Sequence, residues 1–285
     1  MSYLETIILG IVQGIAEFLP ISSSGHLVIV EAFLRQLGSA AAETGSLEDN
    51  LELNVALHFG TLMSILIVYA RSLGQMIASA FRMLVNRKQA TEADWRNCSL
   101  IIAIIVATLP VVFAGLFLKD QLERLFGSPI AAGCGLLVTS ALLFLTPKLD
   151  RGEQPLGTIT WGQALIVGLF QAVAPMPGIS RSGSTIVGGL VSGLRRDAAA
   201  DFSFLIAIPA ILGATVLHAK DLLEQGAGET AAGPLLAGTV IAFVVGLAAL
   251  KLLLRMVASR KLIWFAWYCL AMGLIVICWQ LSLSA

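Results

Sequence analysis

The stretch Gln13 to His26, QGIAEFLPISSSGH, constrains the chain most, because it is polar where its neighbours are apolar. ETIILGIV precedes it and LVIVEAFL follows it. If the segment enters a bilayer, Gln13, Glu17, Ser22, Ser23, Ser24 and His26 lie at apolar depth. Lipid offers such groups no hydrogen-bond partner, so they must face other protein or a wet cavity. The stretch has an echo 158 residues later, QAVAPMPGISRSGS from Gln171 to Ser184, aligned without a gap. Gly10/Gly168, Gln13/Gln171, Ala16/Ala174, Ile21/Ile179, Ser22/Ser180, Ser24/Ser182 and Gly25/Gly183 are identical pairs. Two copies of a helix, polar turn, helix unit make an internal repeat. In a membrane protein, paired broken helices of this kind meet at a central site.

The bilayer premise follows from charge. Only 13% of the residues are charged, 57% are hydrophobic, and the mean hydropathy is +0.87. A soluble domain carries about 25% charged residues, so the chain reads as an all-α integral membrane protein. Its net charge of zero gives nucleic acid nothing to bind. The first helix carries Glu5 early and runs into the polar turn rather than a small-residue cleavage site, so it is not read as a signal peptide. Cys98, Cys134, Cys269 and Cys278 are scattered without metal-ligand spacing and read as small apolar core residues.

Six stretches have the length a span needs, about 20 residues: near 52–70, 98–118, 129–147, 201–217, 235–254 and 263–282. The two repeat units, near 3–37 and 161–194, are broken by Pro/Ser/Gly turns into halves too short to cross, and read as re-entrant hairpins. This layout puts 13 Lys and Arg residues on one face, including Arg71, Arg82, Arg195, Arg196, Arg260 and Lys261, against Arg35, Lys119, Arg124 and Lys220 on the other. The basic face is then cytoplasmic. One hairpin enters from outside and the other from the cytoplasm, an inverted-topology repeat. The whole of 1–285 is a single polytopic domain, with repeat units near 3–147 and 161–282. The segment from Arg71 to Asn97 reads as an interfacial amphipathic loop, and Gly38 to Asn50 as a small acidic outer loop.

The residues of the two turns carry chemistry. Gln13 and Glu17 are four apart and share a helix face. An intramembrane Glu suits a divalent cation or general-base work. Ser22, Ser23, Ser24, Gly25 and His26 open the next half-helix, whose N-terminus favours an anion. A serine near a histidine is also the minimum for an activated nucleophile, while the plain alternative is a helix cap. In the second turn, Gly178, Ser180, Arg181, Ser182 and Thr185 suit phosphate: Arg binds it through a planar fork, glycine allows close approach, and hydroxyls add donors. A structural Arg at this depth would instead want an acidic partner, for which Glu17 is the candidate. Asn54, His58 and Thr61 mark a polar face of the first full span, lining the same cavity or bonding between helices.

With those motifs, the chain resembles the bacterial undecaprenyl-diphosphate phosphatase family, the bacitracin-resistance type. EFLPISSSGH and PGISRSGST carry the likeness, ADFSFLIAIP from Ala200 to Pro209 looks like a third family segment, and the match spans nearly the whole chain. The family allows Glu or Gln at position 13; Gln13 here leaves Glu17 the only carboxylate of that motif. The resemblance implies hydrolysis of a C55 polyprenyl diphosphate to the monophosphate carrier lipid of cell-wall synthesis, with a divalent cation, Mg or Ca. It implies a bacterial plasma-membrane protein with its site open to the outer face. It implies Glu17, Ser23, His26, Ser180, Arg181 and Thr185 as active-site residues, with Glu17 on the metal. The phosphatidic-acid class of lipid phosphatases also uses SGH and SR elements, but its second motif needs a His where Val187 stands. The alternative reading is a polyprenyl-phosphate transporter or flippase, since inverted broken-helix repeats are transporter architecture. A non-catalytic lipid-binding scaffold leaves the Glu/His/Arg convergence unexplained. The chain is compatible with a homodimer.

Overall fold

Short polar caps and prolines divide the apolar sequence into helices. The computed structural model describes residues 3–36, 51–117, 125, 128–225 and 231–284, and these are helical apart from turns and one isolated bridge between Gln154 and Leu194. The first unit is α1 (Tyr3–Phe18) and α2 (Ser23–Gln36). It is followed by α3 (Leu51–Val68), α4 (Ala70–Val85), α5 (Glu92–Phe117) and α6 (Pro129–Phe144), which a short turn of helix extends to Leu149. The second unit is α7 (Trp161–Ala172) and α8 (Arg181–Val191), followed by α9 (Arg196–Gln225), α10 (Ala232–Ala258) and α11 (Ile263–Ser284).

Capping chemistry sets several boundaries. Ser128 accepts a bond from Ala131 N at 3.2 Å, with Pro129 opening α6. Thr160 and Gln163 form a capping box at the start of α7. Helices α5 and α9 carry Pro110 and Pro209 in their interiors.

Among the described residues five helices are long and apolar enough to cross a membrane: α5, α6 with its extension, α9, α10 and α11. The expected span near 52–70 qualifies only together with α4, from which α3 is bent by 73°. The stretch before the bend, Glu52–Val68, is too short to cross alone. Tyr69 occupies the bend, and its hydroxyl donates to Asp201 Oδ1 at 2.8 Å, tying it to α9. The segment expected as an interfacial loop is helical. In α4, Met76 and Ser79 face inward while Ile77, Phe81, Leu84 and Val85 are exposed. Arg82 bonds the buried Asp94 at the start of α5 through Nε, 3.0 Å, and Nη2, 2.5 Å. The expected outer loop Gly38–Asn50, and Lys119 and Arg124, lie outside the described residues.

The halves pack in parallel ways. Helix α1 lies against α10, and α7 lies against α5. The identical pair Gly10 and Gly168 explains the closeness. A methyl on Gly10 would sit 2.7 Å from the Gly238 carbonyl oxygen, and one on Gly168 2.6 Å from that of Ala107. Helix α6 pairs with α11, and α3 runs between α9 and α10. The core includes Phe18, Phe202, Phe204, Leu136, Ile186 and Leu205. The outward surface stays apolar, with Ile105, Leu109, Phe113, Val240, Val244 and Trp267 exposed, as a lipid-facing surface requires. All four cysteines are free. Only Cys269 is buried, and Cys134 and Cys278 are exposed rather than in the core, since an apolar thiol is equally at home against lipid.

Candidate active site

The two polar turns meet. Each second half-helix is capped by the same device. Ser22 Oγ accepts from Gly25 N at 3.2 Å and lies 3.3 Å from Ser24 Oγ. Ser180 Oγ accepts from Gly183 N at 3.1 Å and lies 3.2 Å from Ser182 Oγ. The turns also touch reciprocally. A methyl on Gly25 would sit 2.8 Å from Gly178 Cα, and one on Gly183 3.2 Å from Pro20 Cβ. Pro20 and Gly178 are themselves 158 residues apart, so equivalent positions of the two turns meet crosswise. The N-termini of α2 and α8 are thereby brought to one place. The cap reading of the serines and the site reading hold together: Ser22 and Ser180 cap, while Ser23 faces a carboxylate.

That carboxylate is Glu17, 7% exposed, at the last turn of α1. Arg181 Nη2 is paired with its Oε1. Its Oε2 accepts from Ser23 Oγ at 2.7 Å and from Gln13 Nε2 at 3.0 Å, and His58 Nε2 lies 4.0 Å away. Three elements thus converge on one acid. Ser23 and Arg181 are equivalent positions of the two turns, and both reach it. The acidic partner that a structural Arg181 would want is therefore present. Yet Arg181 Nη1 is buried with no hydrogen-bond partner among the described residues, and so is Gln13 Oε1. A buried guanidinium N–H without an acceptor is costly and leaves room for an anionic oxygen.

His26 stands apart from this group. Its Nδ1 meets the Ser22 carbonyl oxygen at 2.8 Å and its Nε2 meets Tyr268 Oη at 2.7 Å. Ser23 bonds Glu17 rather than His26, so the adjacent Ser and His do not form a direct pair in this state. Thr185 Oγ1 donates to the Arg181 carbonyl at 2.7 Å and lies 2.6 Å from Ser203 Oγ. Of the polar face on α3, His58 reaches toward Glu17, whereas Thr61 bonds the carbonyls of Leu57 and His58.

Several supports were not legible from spacing. Thr139 on α6 donates to the Gly178 carbonyl at 2.8 Å and accepts from Ser180 N at 2.9 Å, clamping the second turn. Cys269 on α11 reaches the Pro20 carbonyl at 3.5 Å in the first. Tyr268 is 242 residues from His26 and sits in WFAWYCL, which reads as a lipid-facing aromatic run. Among the described residues no cluster of three or more His, Cys, Asp or Glu could hold a metal alone.

Residues 6–275 match the family described as bacitracin resistance protein BacA. A protein of Rhodopirellula baltica named undecaprenyl-diphosphatase is 44% identical over 275 residues, 96% of each chain. Proteins of the same name from Alkaliphilus metalliredigens and Desulfosudis oleivorans are 41% and 42% identical, over 99% and 96% of this chain and 100% and 97% of their own lengths.

Proposed function

The chain belongs to the bacitracin resistance protein BacA family, and we propose that it is an undecaprenyl-diphosphatase. It removes the terminal phosphate of undecaprenyl diphosphate, returning the monophosphate carrier lipid to cell-wall synthesis. The observation that carries this reading is the unpartnered, buried Nη1 of Arg181 beside the Glu17–Ser23 pair. It supplies an anion contact next to a hydroxyl that already has a proton acceptor.

In this reading the terminal phosphate enters between the N-termini of α2 and α8, where backbone N–H groups and helix dipoles favour it. Arg181 gives its free N–H to a phosphate oxygen and loosens from Glu17. Glu17 is then the acceptor for the proton of Ser23, whether Ser23 attacks phosphorus or orients the attacking water. His26 moves protons at the edge of the site. Gly25, Gly178, Ser22, Ser24, Ser180, Ser182 and Thr185 shape the turns and line the phosphate. Positioning and charge stabilisation provide most of the rate, as in phosphoryl transfer generally.

A divalent cation, Mg or Ca, belongs to the same proposal. The donor set fits a hard cation: the Glu17 carboxylate and the unpartnered amide oxygen of Gln13, both buried on one face of α1. These two residues would hold the ion, and it would neutralise charge on the diphosphate.

The finer architecture is also proposed: α1–α2 and α7–α8 are re-entrant hairpins of opposite entry, α3 is the sixth span, and 1–285 is one domain of two inverted units. The crosswise contacts of Gly25 with Gly178 and of Gly183 with Pro20 support a two-fold relation between them. The excess of Lys and Arg puts the face of α4 in the cytoplasm, in a bacterial plasma membrane, with the site open to the outside. The prenyl tail lies among the spans.

Phosphate release from undecaprenyl diphosphate by purified protein in detergent, with and without chelator, tests the function. Release that stops with chelator is expected. Lipid movement between the leaflets of sealed vesicles without release in detergent would favour the flippase instead.

A further inference from the structure

We propose that Tyr268 is a positioning residue for the reaction, holding the His26 ring by donating to its Nε2. This rests on the phosphatase reading of the site, in which His26 handles protons. Nδ1 lies 2.8 Å from the Ser22 carbonyl oxygen, which can only accept, so Nδ1 carries the hydrogen. In the neutral ring Nε2 then has a lone pair and needs a donor. Tyr268 Oη, at 2.7 Å, is the donor available. The two rings lie nearly parallel, 12° between planes and 5.7 Å between centroids, so the phenol also backs the imidazole.

The fold makes this contact deliberate in geometry. His26 is 9% exposed, in the first turns of α2, and its bonded neighbours leave it little freedom. Tyr268 comes from α11, 242 residues on, and is 39% exposed. The next residue, Cys269, reaches the Pro20 carbonyl. Thus adjacent positions of one helix hold both ends of the first polar turn, the proline carbonyl and the histidine. The second turn is held by Thr139 from α6, which packs on α11. A proton arriving on Nε2 turns the phenol oxygen from donor to acceptor: the hydroxyl rotates, keeps its own hydrogen and accepts from Nε2–H.

The test is Tyr268→Phe, read in two independent ways. The chain has three histidines, His26, His58 and His218, so imidazole ¹⁵N spectra assign by single His→Gln variants. The wild-type His26 signals should be those of an Nδ1–H ring whose Nε2 accepts a hydrogen bond, and in Tyr268→Phe the Nε2 signal should move toward a free acceptor. Steady-state phosphate release should fall roughly three- to tenfold in kcat, the range of one neutral hydrogen bond, with KM nearly unchanged. In a His26→Asn background the same Tyr268→Phe change should have no further effect. A merely structural tyrosine would lower activity equally in both backgrounds, which overturns the proposal. An unchanged His26 spectrum in Tyr268→Phe also overturns it. If Tyr268→Phe does not accumulate, 3-fluorotyrosine in this chain of three tyrosines strengthens the donor without removing it, and the Nε2 signal must follow. If wild-type protein releases no phosphate, the function reading fails, while the spectra still decide whether Tyr268 holds His26.

Discussion

The two polar turns share a frame and differ in cargo. Position for position, Ser22 and Ser180 cap in the same way, Gly25 and Gly183 donate to those caps, and each glycine meets the opposite turn. The side chains that carry charge do not match. Glu17 corresponds to Pro175, Ser23 to Arg181, and His26 to Ser184. The first turn therefore holds the acid, the hydroxyl and the imidazole, and the second holds the guanidinium. Even the unmatched positions bear this out: Ser184 Oγ is buried with no hydrogen-bond partner among the described residues, where its counterpart His26 has two. Pro175 also shortens the second unit, so that α7 ends at Ala172 whereas α1 runs through Glu17 to Phe18. Duplication accounts for the meeting of the turns, and three unmatched positions account for the chemistry.

If the cargo is divided in this way, altering a charged position should hurt far more than altering a shared one. Arg181→Lys keeps the charge and loses the planar fork, so kcat/KM for phosphate release should fall roughly tenfold to a hundredfold, the worth of a charge-assisted bond of about 1.5–3 kcal/mol. Near-normal turnover in folded Arg181→Lys would reduce Arg181 to an ion-pair partner of Glu17. Removing the caps should sharpen the other side of the comparison. Ser22→Ala and Ser180→Ala should each lower stability by about 0.5–2 kcal/mol, measured by denaturant or thermal unfolding in detergent. The two losses should be alike, and strongly unequal losses would show that the frames are not equivalent. Gln13→Glu should have the smallest effect on turnover while reducing the divalent concentration needed for half-maximal rate, since it adds a carboxylate on the face of Glu17. A need for more metal in Gln13→Glu would place the ion elsewhere.

Much of this was legible before any coordinates. The echo at 158 residues marked both turns, and the residue types marked Glu17, Ser23, His26 and Arg181 as site residues, with Glu17 the candidate acidic partner of Arg181. Helix limits were less legible. Helix α5 begins at Glu92 and α9 at Arg196, because charged first turns extend these helices beyond their apolar stretches. The bend between α3 and α4 has no proline; Tyr69 and its bond to Asp201 are a tertiary matter that local spacing does not encode. The same holds for Thr139 and Tyr268, which support the site from helices distant in sequence, and for Ser203, which reaches Thr185 from the next helix, α9. The local reading of Ser23 beside His26 shows the converse. Nearness in sequence suggested a pair, but Ser23 opens α2 and turns to Glu17, whereas His26 turns toward α11.

The division of labour rests most heavily on Glu17, which joins both turns. Glu17→Gln is nearly isosteric and removes only the charge, so phosphate release from undecaprenyl diphosphate by this variant, titrated with divalent cation, is the most direct measurement. We expect turnover reduced about a hundredfold or more, within the range for a lost general base, with the residual rate needing much higher cation concentration. An active Glu17→Gln protein with wild-type metal dependence would contradict the assignment and take Glu17 out of the reaction.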